Sequence, residues 1–267
     1  MAAVRLDVSA RRMRVSVSGW LVSALLALAA MGAPGARAAA SPAGVAERVA
    51  QADALYESAR SLEELEKAYA LYKEALEADP QSYEAAWKAG RAAWQLAELV
   101  PKPERRPLLE EGERLARRAT EIDPRGVDGH YWYGVLIGRV GEERGILASL
   151  FLVDDVLREM QTVLELDPTH AGAHHVLSVL YRVVPGRPLS IGDKRKAVEH
   201  AELSVRYAPD DLLYRLGLAE AYHAAGNRAA AVRTLREVLA MPEDDPVNDA
   251  RTKERARQLL RELGETA

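Results

Sequence analysis

Cysteine is absent from this chain of 267 residues, and that absence removes several chemistries at once. No disulfide framework, thiolate metal site, cysteine nucleophile or lipid-carrying cysteine can be built. Phenylalanine occurs once and aromatic residues make up 6% of the chain, with few β-branched runs, so strand-forming composition is scarce. A phosphate-cradling loop is also missing. Gly192-Asp193-Lys194 lacks the upstream glycine such a loop needs, and it reads as a turn in which Asp193 or Ser190 caps the next helix. His170 and His174 have the four-residue spacing that lets two imidazoles share an ion on a helix. No HExxH pattern accompanies them and no acidic third ligand lies one turn away, so they read as packing histidines. No Ser/His/Asp set stands out, and the paired carboxylates of the Glu-rich segments read as solvated helix faces. The expectation is a non-enzymatic protein without metal or cofactor.

Alanine, leucine, glutamate and arginine dominate instead, which is a helical composition. One phrase then returns four times. Ala75-Leu76-Glu77-Ala78-Asp79-Pro80 recurs as Ala119-Thr120-Glu121-Ile122-Asp123-Pro124, as Val163-Leu164-Glu165-Leu166-Asp167-Pro168, and in faded form as Ser204-Val205-Arg206-Tyr207-Ala208-Pro209. The prolines fall 44, 44 and 41 residues apart, a period that marks a stacked repeat architecture. A second helix precedes each proline, marked by Ala68/Tyr72/Ala75, Gly112/Ala116/Ala119, Val156/Met160/Val163 and Ala197/Ala201/Ser204. First helices are seeded by Gly90/Ala93, Gly134/Ile137 and Ser178/Tyr181. The cleanest unit is Leu212 to Met241, where Ala219 and Tyr222 precede Gly226, and Ala231, Leu235 and Val238 follow. These three- and four-residue spacings put the apolar residues on one face of each helix.

The pattern of small, aromatic, glycine, alanine, large apolar, small and proline positions resembles the tetratricopeptide repeat. The expected fold is all-α, a solenoid of about five helix pairs over residues 51–247 with lengthened helices or loops. A polar helix over 248–267 would cap it, since a terminal repeat otherwise exposes half a core. Residues 39–50 read as a flexible N-terminal segment. Residues 1–38 have the layout of a secretory signal: Arg11, Arg12 and Arg14, the apolar stretch Trp20 to Met31, then a cleavage site at Ala36-Arg37-Ala38 or Ala38-Ala39-Ala40. Met13 is an alternative start, and an uncleaved anchor an alternative fate. A chain cut after Ala38 would carry a net charge of about −8 against −4 for the whole. Such an acidic exported protein, without a basic stripe, is a poor partner for nucleic acid or anionic lipid. The expected location is the periplasm.

Three insertions depart from the 34-residue period. The first carries Pro101-Lys102-Pro103 with Arg105 and Arg106, the second runs from Gly141 to Val153, and the third from Pro185 to Lys194. Insertions in a solenoid gather on one face, often the binding face, and the second and third mix glycine with apolar side chains. A lengthened helix continuing the hydrophobic face is the alternative for the second. First helices line the concave side of stacked repeats, and aromatic residues there form a groove or fill the core. Trp87 and Trp94 occupy one first helix, His130-Tyr131-Trp132-Tyr133 the next, and Tyr181 the one after. With Pro188, Leu189 and Asp193 rimming the opening, they form the expected binding set. The occupant would be a protein partner or a small apolar ligand, and the chain could self-associate; the alternative is an envelope-assembly scaffold that binds peptide segments in an open concave groove.

Residues 130 to 209 resemble a narrower family, the T-component of tripartite ATP-independent periplasmic transporters. The carrying residues are His130 to Gly134, Gly145 to Leu150, Ala173-His174 through Leu180-Tyr181, Pro185-Gly186, Pro188-Leu189-Ser190, Gly192-Asp193 and Lys196-Ala197. That resemblance implies an exported solenoid with a channel or pocket and a periplasmic substrate-binding protein as partner. Members are often lipoproteins, for which this chain lacks the cysteine. A second, more distant resemblance is to eukaryotic microtubule-regulator repeat proteins, a context from which the signal-like segment points away.

Overall fold

In the computed structural model, residues 42–243 and 246–266 are described; the signal-like segment lies outside them. Twelve helices make up these residues: α1 (Pro42–Ser58), α2 (Leu62–Ala78), α3 (Tyr83–Leu99), α4 (Lys102–Ile122), α5 (Val127–Arg144), α6 (Ile146–Phe151), α7 (Val153–Leu166), α8 (Ala171–Val183), α9 (Lys194–Tyr207), α10 (Leu212–Ala224), α11 (Arg228–Ala240) and α12 (Pro246–Glu262). They pair as α1/α2, α3/α4, α5/α7, α8/α9 and α10/α11, with α12 packed on α10 and α11 as the cap. The expected all-α solenoid of five pairs and a capping helix is therefore the observed one.

The recurring Asp-Pro phrase is a built turn. The amide N–H groups of Asp79, Asp123 and Asp167 close the preceding helix on Ala75, Ala119 and Val163. Each aspartate carboxylate then accepts from the N–H two residues on, at Gln81, Arg125 and Thr169, over 2.9–3.0 Å. Proline keeps the helix from continuing, and the side-chain acceptor fixes the chain's reversal. Helix starts are capped in turn, by Ser61 and Glu64 in a reciprocal box and by Ser82, His170, Asp193, Asp211 and Asn227.

Small residues decide how closely each pair packs. A Cβ on Gly112 would lie 2.9 Å from the Ala93 Cβ, and one on Gly90 would lie 3.1 Å from the Ala116 Cβ. α3 and α4 thus cross on glycine and alanine, and Trp94, Leu109, Leu136 and Met160 fill the layers between pairs. The repeat marks read from sequence, Ala68 to Ser204 in second helices and Ala219 to Val238 in the last pair, are buried except for Tyr222, which is half-buried, and Gly226, which is exposed in the turn.

Two sequence expectations change. Residues 42–50 are helical rather than flexible, because Val45, Val49 and Ala52 form an apolar stripe of α1 that packs on α2. The three insertions also take different forms. The first lengthens α4 to 21 residues. The second ends α5 at Gly145, whose φ of 102° only glycine adopts readily, and continues as α6, none of whose residues is buried. So α6 does not continue the buried face. The third is a loop closed by Gly192 N–H to Pro185 O at 2.9 Å and Asp193 N–H to Tyr181 O at 2.9 Å.

Candidate partner-binding face

Successive first helices bring their backbones together, α1 with α3, α3 with α5, α5 with α8, α8 with α10 and α10 with α12, whereas second helices stand further apart and meet only through long side chains, as Lys73 of α2 meets Glu111 of α4 at 2.6 Å. The first helices therefore lie on the inner side of the curve. Ion pairs bridge them: Asp53 to Lys88 at 2.8 Å, Glu98 to Arg139, Arg182 to Glu220 at 2.8 Å and Glu220 to Arg255 at 3.3 Å.

The densest group lies where α1, α3 and α5 meet. The Arg91 guanidinium is 4.1 Å from the centre of the Tyr56 ring and 5.1 Å from that of Trp87. A guanidinium held between two π-faces is oriented without losing its charge. Its single hydrogen bond runs from Nη2 to the Tyr72 hydroxyl at 3.5 Å, and its Nε is buried without a partner among the described residues. Tyr72 donates to Asp53 Oδ1 at 2.7 Å, while Lys88 reaches Asp53 at 2.8 Å and Glu84 at 3.0 Å. Half-buried Asp128 completes the group. Burial, and then the nearby Glu84, push its carboxyl above the usual range, against the opposing pull of Arg91 and Lys88. An acidic group entering this face meets a guanidinium already oriented by two rings and engaged in only one long hydrogen bond, and a donor meets Asp128.

The residues expected from sequence are dispersed. Trp87 is on this face, beneath Lys88 and Arg91. Trp94 and Trp132 pack together in the core with ring centres 5.6 Å apart, and Tyr131 lies edge-on to Trp132 at 5.3 Å. His130 points toward the second helices, its ring nitrogens facing the Glu159 carboxylate at 2.7 Å and the Pro124 carbonyl at 3.0 Å. Both partners are acceptors, an arrangement that suits the doubly protonated ring. The hydrogen bond to Glu159 accordingly raises its pKa above the ordinary imidazole value, in spite of burial. Half-buried Tyr133 lies near Glu113 of α4 and Glu159 of α7. Tyr181 stacks on His200 of α9 at 5.6 Å. Pro188 and Leu189 are exposed in the α8–α9 loop, and Asp193 caps α9. Sequence reasoning missed Asp53, Tyr56, Arg91 and Asp128; the i, i+4 placement of Trp87 and Arg91 was the available signal.

The histidines are engaged separately. His170 caps α8, its Nδ1 accepting from Ala173 N–H at 3.0 Å. His174 Nε2 faces the Pro168 carbonyl at 3.1 Å and must donate, so its Nδ1 accepts from His200 Nδ1–H at 2.9 Å. Burial lowers the pKa of all three; that of His200 falls to about 4, with His174 and Lys196 adding to the effect of burial. Among the described residues no group of three His, Cys, Asp or Glu side chains is placed to hold a metal.

Fold and face together define a tetratricopeptide-type α-solenoid with a charged, aromatic inner wall. A tetratricopeptide-repeat protein of Thermus thermophilus matches it with a TM-score of 0.62 at 17% identity, over 79% of this chain and 98% of that one. Another from Parabacteroides merdae matches with a TM-score of 0.56 at 15% identity, over 85% and 76%. At such identities the likeness establishes the fold. The chain belongs to the family of regulator of microtubule dynamics protein 1-3, whose family model matches residues 48–184. Regulator of microtubule dynamics protein 1 of Bos taurus is 32% identical over 149 residues, 54% of this chain and 44% of that protein. Its counterpart in Mus musculus is 31% identical over 140 residues, 51% and 43%. The chain thus spans less than half the length of these curated relatives. The family is that of the more distant of the two resemblances read from the sequence.

Proposed function

We propose that this chain is a non-enzymatic binding protein that holds an extended, acidic segment of a protein partner against the inner wall of α1, α3 and α5. The observation that carries the reading is Arg91, fixed between Tyr56 and Trp87 with only one long hydrogen bond, at 3.5 Å, and no carboxylate partner among the described residues. A carboxylate is the natural complement of such a guanidinium. Asp128 beside it suits a backbone N–H or a cationic side chain of the same segment. A charged wall favours a peptide over the small apolar ligand that the sequence also suggested. The proposal places the protein in the periplasm, on the strength of the basic and apolar segment before Ala38. Accessory service in an uptake system is the setting implied by the transporter resemblance. The relatives' name concerns microtubules, and the export segment is the reason that setting is not adopted.

The test is selection of random displayed peptides on the full chain, followed by affinity measurements with Arg91→Gln. Selected peptides should carry a carboxylate and lose about 10- to 100-fold in affinity, the range for a hydrogen bond to a charged group. Peptides that lack acids, or that bind the variant unchanged, would refute the reading.

A further inference from the structure

The exposed apolar side chains of this protein are not scattered. Each first helix runs toward one edge of the solenoid, where it turns into its second helix; the Asp-Pro turns form the opposite edge. Nine large apolar residues are exposed among the described ones, and eight of them, Leu62, Leu99, four on α6, Val183 and Leu189, lie at or beside the first-to-second turns. The exception, Tyr207, ends a second helix. At the centre of that edge Ile146, Leu147 and Phe151 are 69%, 74% and 84% exposed, and Leu189 in the next repeat is 84% exposed. A six-residue helix with no buried residue gains nothing for the core from four large apolar side chains.

The same edge carries unneutralised positive charge beside Leu189. From Arg187 to Lys196 the chain has four cations, Arg187, Lys194, Arg195 and Lys196, against Asp193 alone, a local basic patch in a net negative molecule that departs from the expectation, drawn from net charge, of a poor partner for anionic lipid. Arg195 pairs with Glu199 and Lys196 lies over the Tyr181 ring, whereas Arg187 and Lys194 have no carboxylate partner among the described residues. Acidic Glu143 and Asp154 flank α6 itself, so the positive charge is concentrated in the fourth repeat and the apolar surface in the third.

We infer that this edge docks on an anionic membrane surface, with α6 and Leu189 entering the headgroup boundary and the Arg187–Lys196 loop meeting anionic lipid. Apolar insertion and a basic patch are the two signals that together hold a protein at an interface when one alone is too weak. No described helix is long and apolar enough to cross a membrane, so the mode is peripheral. The inner wall stays open to solvent in this orientation, and the proposal is independent of what that wall binds.

Because cysteine is absent, one cysteine introduced into the full chain carries a fluorophore at a unique position. Phe151→Cys and Leu189→Cys report the edge, and Thr169→Cys, exposed at the opposite edge, is the control. Labelled with a polarity-sensitive nitrobenzoxadiazole, the first two should brighten on vesicles of phosphatidylcholine mixed with phosphatidylglycerol, while the third should not. Arg187→Gln with Lys194→Gln should weaken partition onto these vesicles by about fivefold per cation and leave partition onto pure phosphatidylcholine unchanged. Silence at all three positions would overturn the proposal. So would an equal response at 169, which would assign membrane contact to the N-terminal segment. A response at 151 that follows protein concentration without vesicles would assign the edge to a second copy of the chain and overturn it too.

Discussion

Arg139 offers the sharpest test of how the second and third repeats are joined. Its side chain is 2% exposed, and it bridges Glu98 of α3 and Glu142 of its own helix, whose side chains are 19% and 20% exposed. Burial opposes its charge, and the two carboxylates outweigh burial and hold its pKa above the ordinary arginine value. Arg139→Met keeps the volume and removes the charge, leaving two carboxylates close together at the mouth of an apolar layer. Breaking a buried pair costs about 3–5 kcal/mol, and the remaining water access of the glutamates sets the expectation near the lower end, about 3 kcal/mol. Replacing the whole set, as Arg139→Met with Glu98→Gln and Glu142→Gln, removes the like-charge repulsion and should recover all but about 1 kcal/mol, since apolar substitutes for a buried ion set are often neutral. Urea unfolding of the full chain followed by far-UV circular dichroism measures both. A single variant that loses less than about 1 kcal/mol, or a triple variant no more stable than the single, would refute the reasoning.

Gly112→Val would force two methyl groups into a crossing where even a Cβ lies 2.9 Å from Ala93, so it should destabilise by about 1–3 kcal/mol in the same assay. His170, His174 and His200 have lowered pKa values in the fold, so the unfolded chain binds more protons as pH falls below the ordinary imidazole value. Their stabilisation is complete above about pH 6.5 and is lost toward the His200 value of about 4; His130, raised by Glu159, works in the opposite direction. Discounted for its partial exposure, His200 should account for about 1 kcal/mol between about pH 7.5 and pH 5.5. His200→Gln should flatten that part of the urea-midpoint profile, and an unchanged profile would contradict the assignment. Trp94→Ala, which empties the layer shared with Trp132, should cost about 3–5 kcal/mol, while Phe151→Ala on exposed α6 should change stability by less than about 0.5 kcal/mol.

The solenoid was legible because its determinants are local and repeated. The Asp-Pro turn needs only an acceptor and a helix breaker, and the close crossings need only Gly90, Ala93, Gly112 and Ala116 at helical spacing. The binding face was not legible because neighbouring positions on a first helix face different directions, about 100° apart. In His130-Tyr131-Trp132-Tyr133, Trp132 enters the core while His130 turns to Glu159, and composition cannot separate them. Arg91 escaped notice because its setting is assembled from Tyr56 on another helix and Trp87 one turn away. Residues 39–50 read as a flexible N-terminal segment. Proline is tolerated in a first helical turn, however, and Val45, Val49 and Ala52 already carried the stripe that makes α1. Periodicity likewise could not show that α6 turns its apolar side chains outward, since a short apolar run looks the same buried or exposed.

The central claim is that partners lie on the inner wall of the first helices. Photo-crosslinking tests it most directly, with benzophenone attached to a single cysteine in the full chain and a selected acidic peptide as the probe. Glu84→Cys places the reagent on α3 beside Lys88 and Asp53, and Glu77→Cys places it on exposed α2 of the outer layer. The account predicts crosslinks from position 84 that disappear with Arg91→Gln, and none from position 77. Crosslinks from position 77, or from position 84 regardless of Arg91, would contradict it.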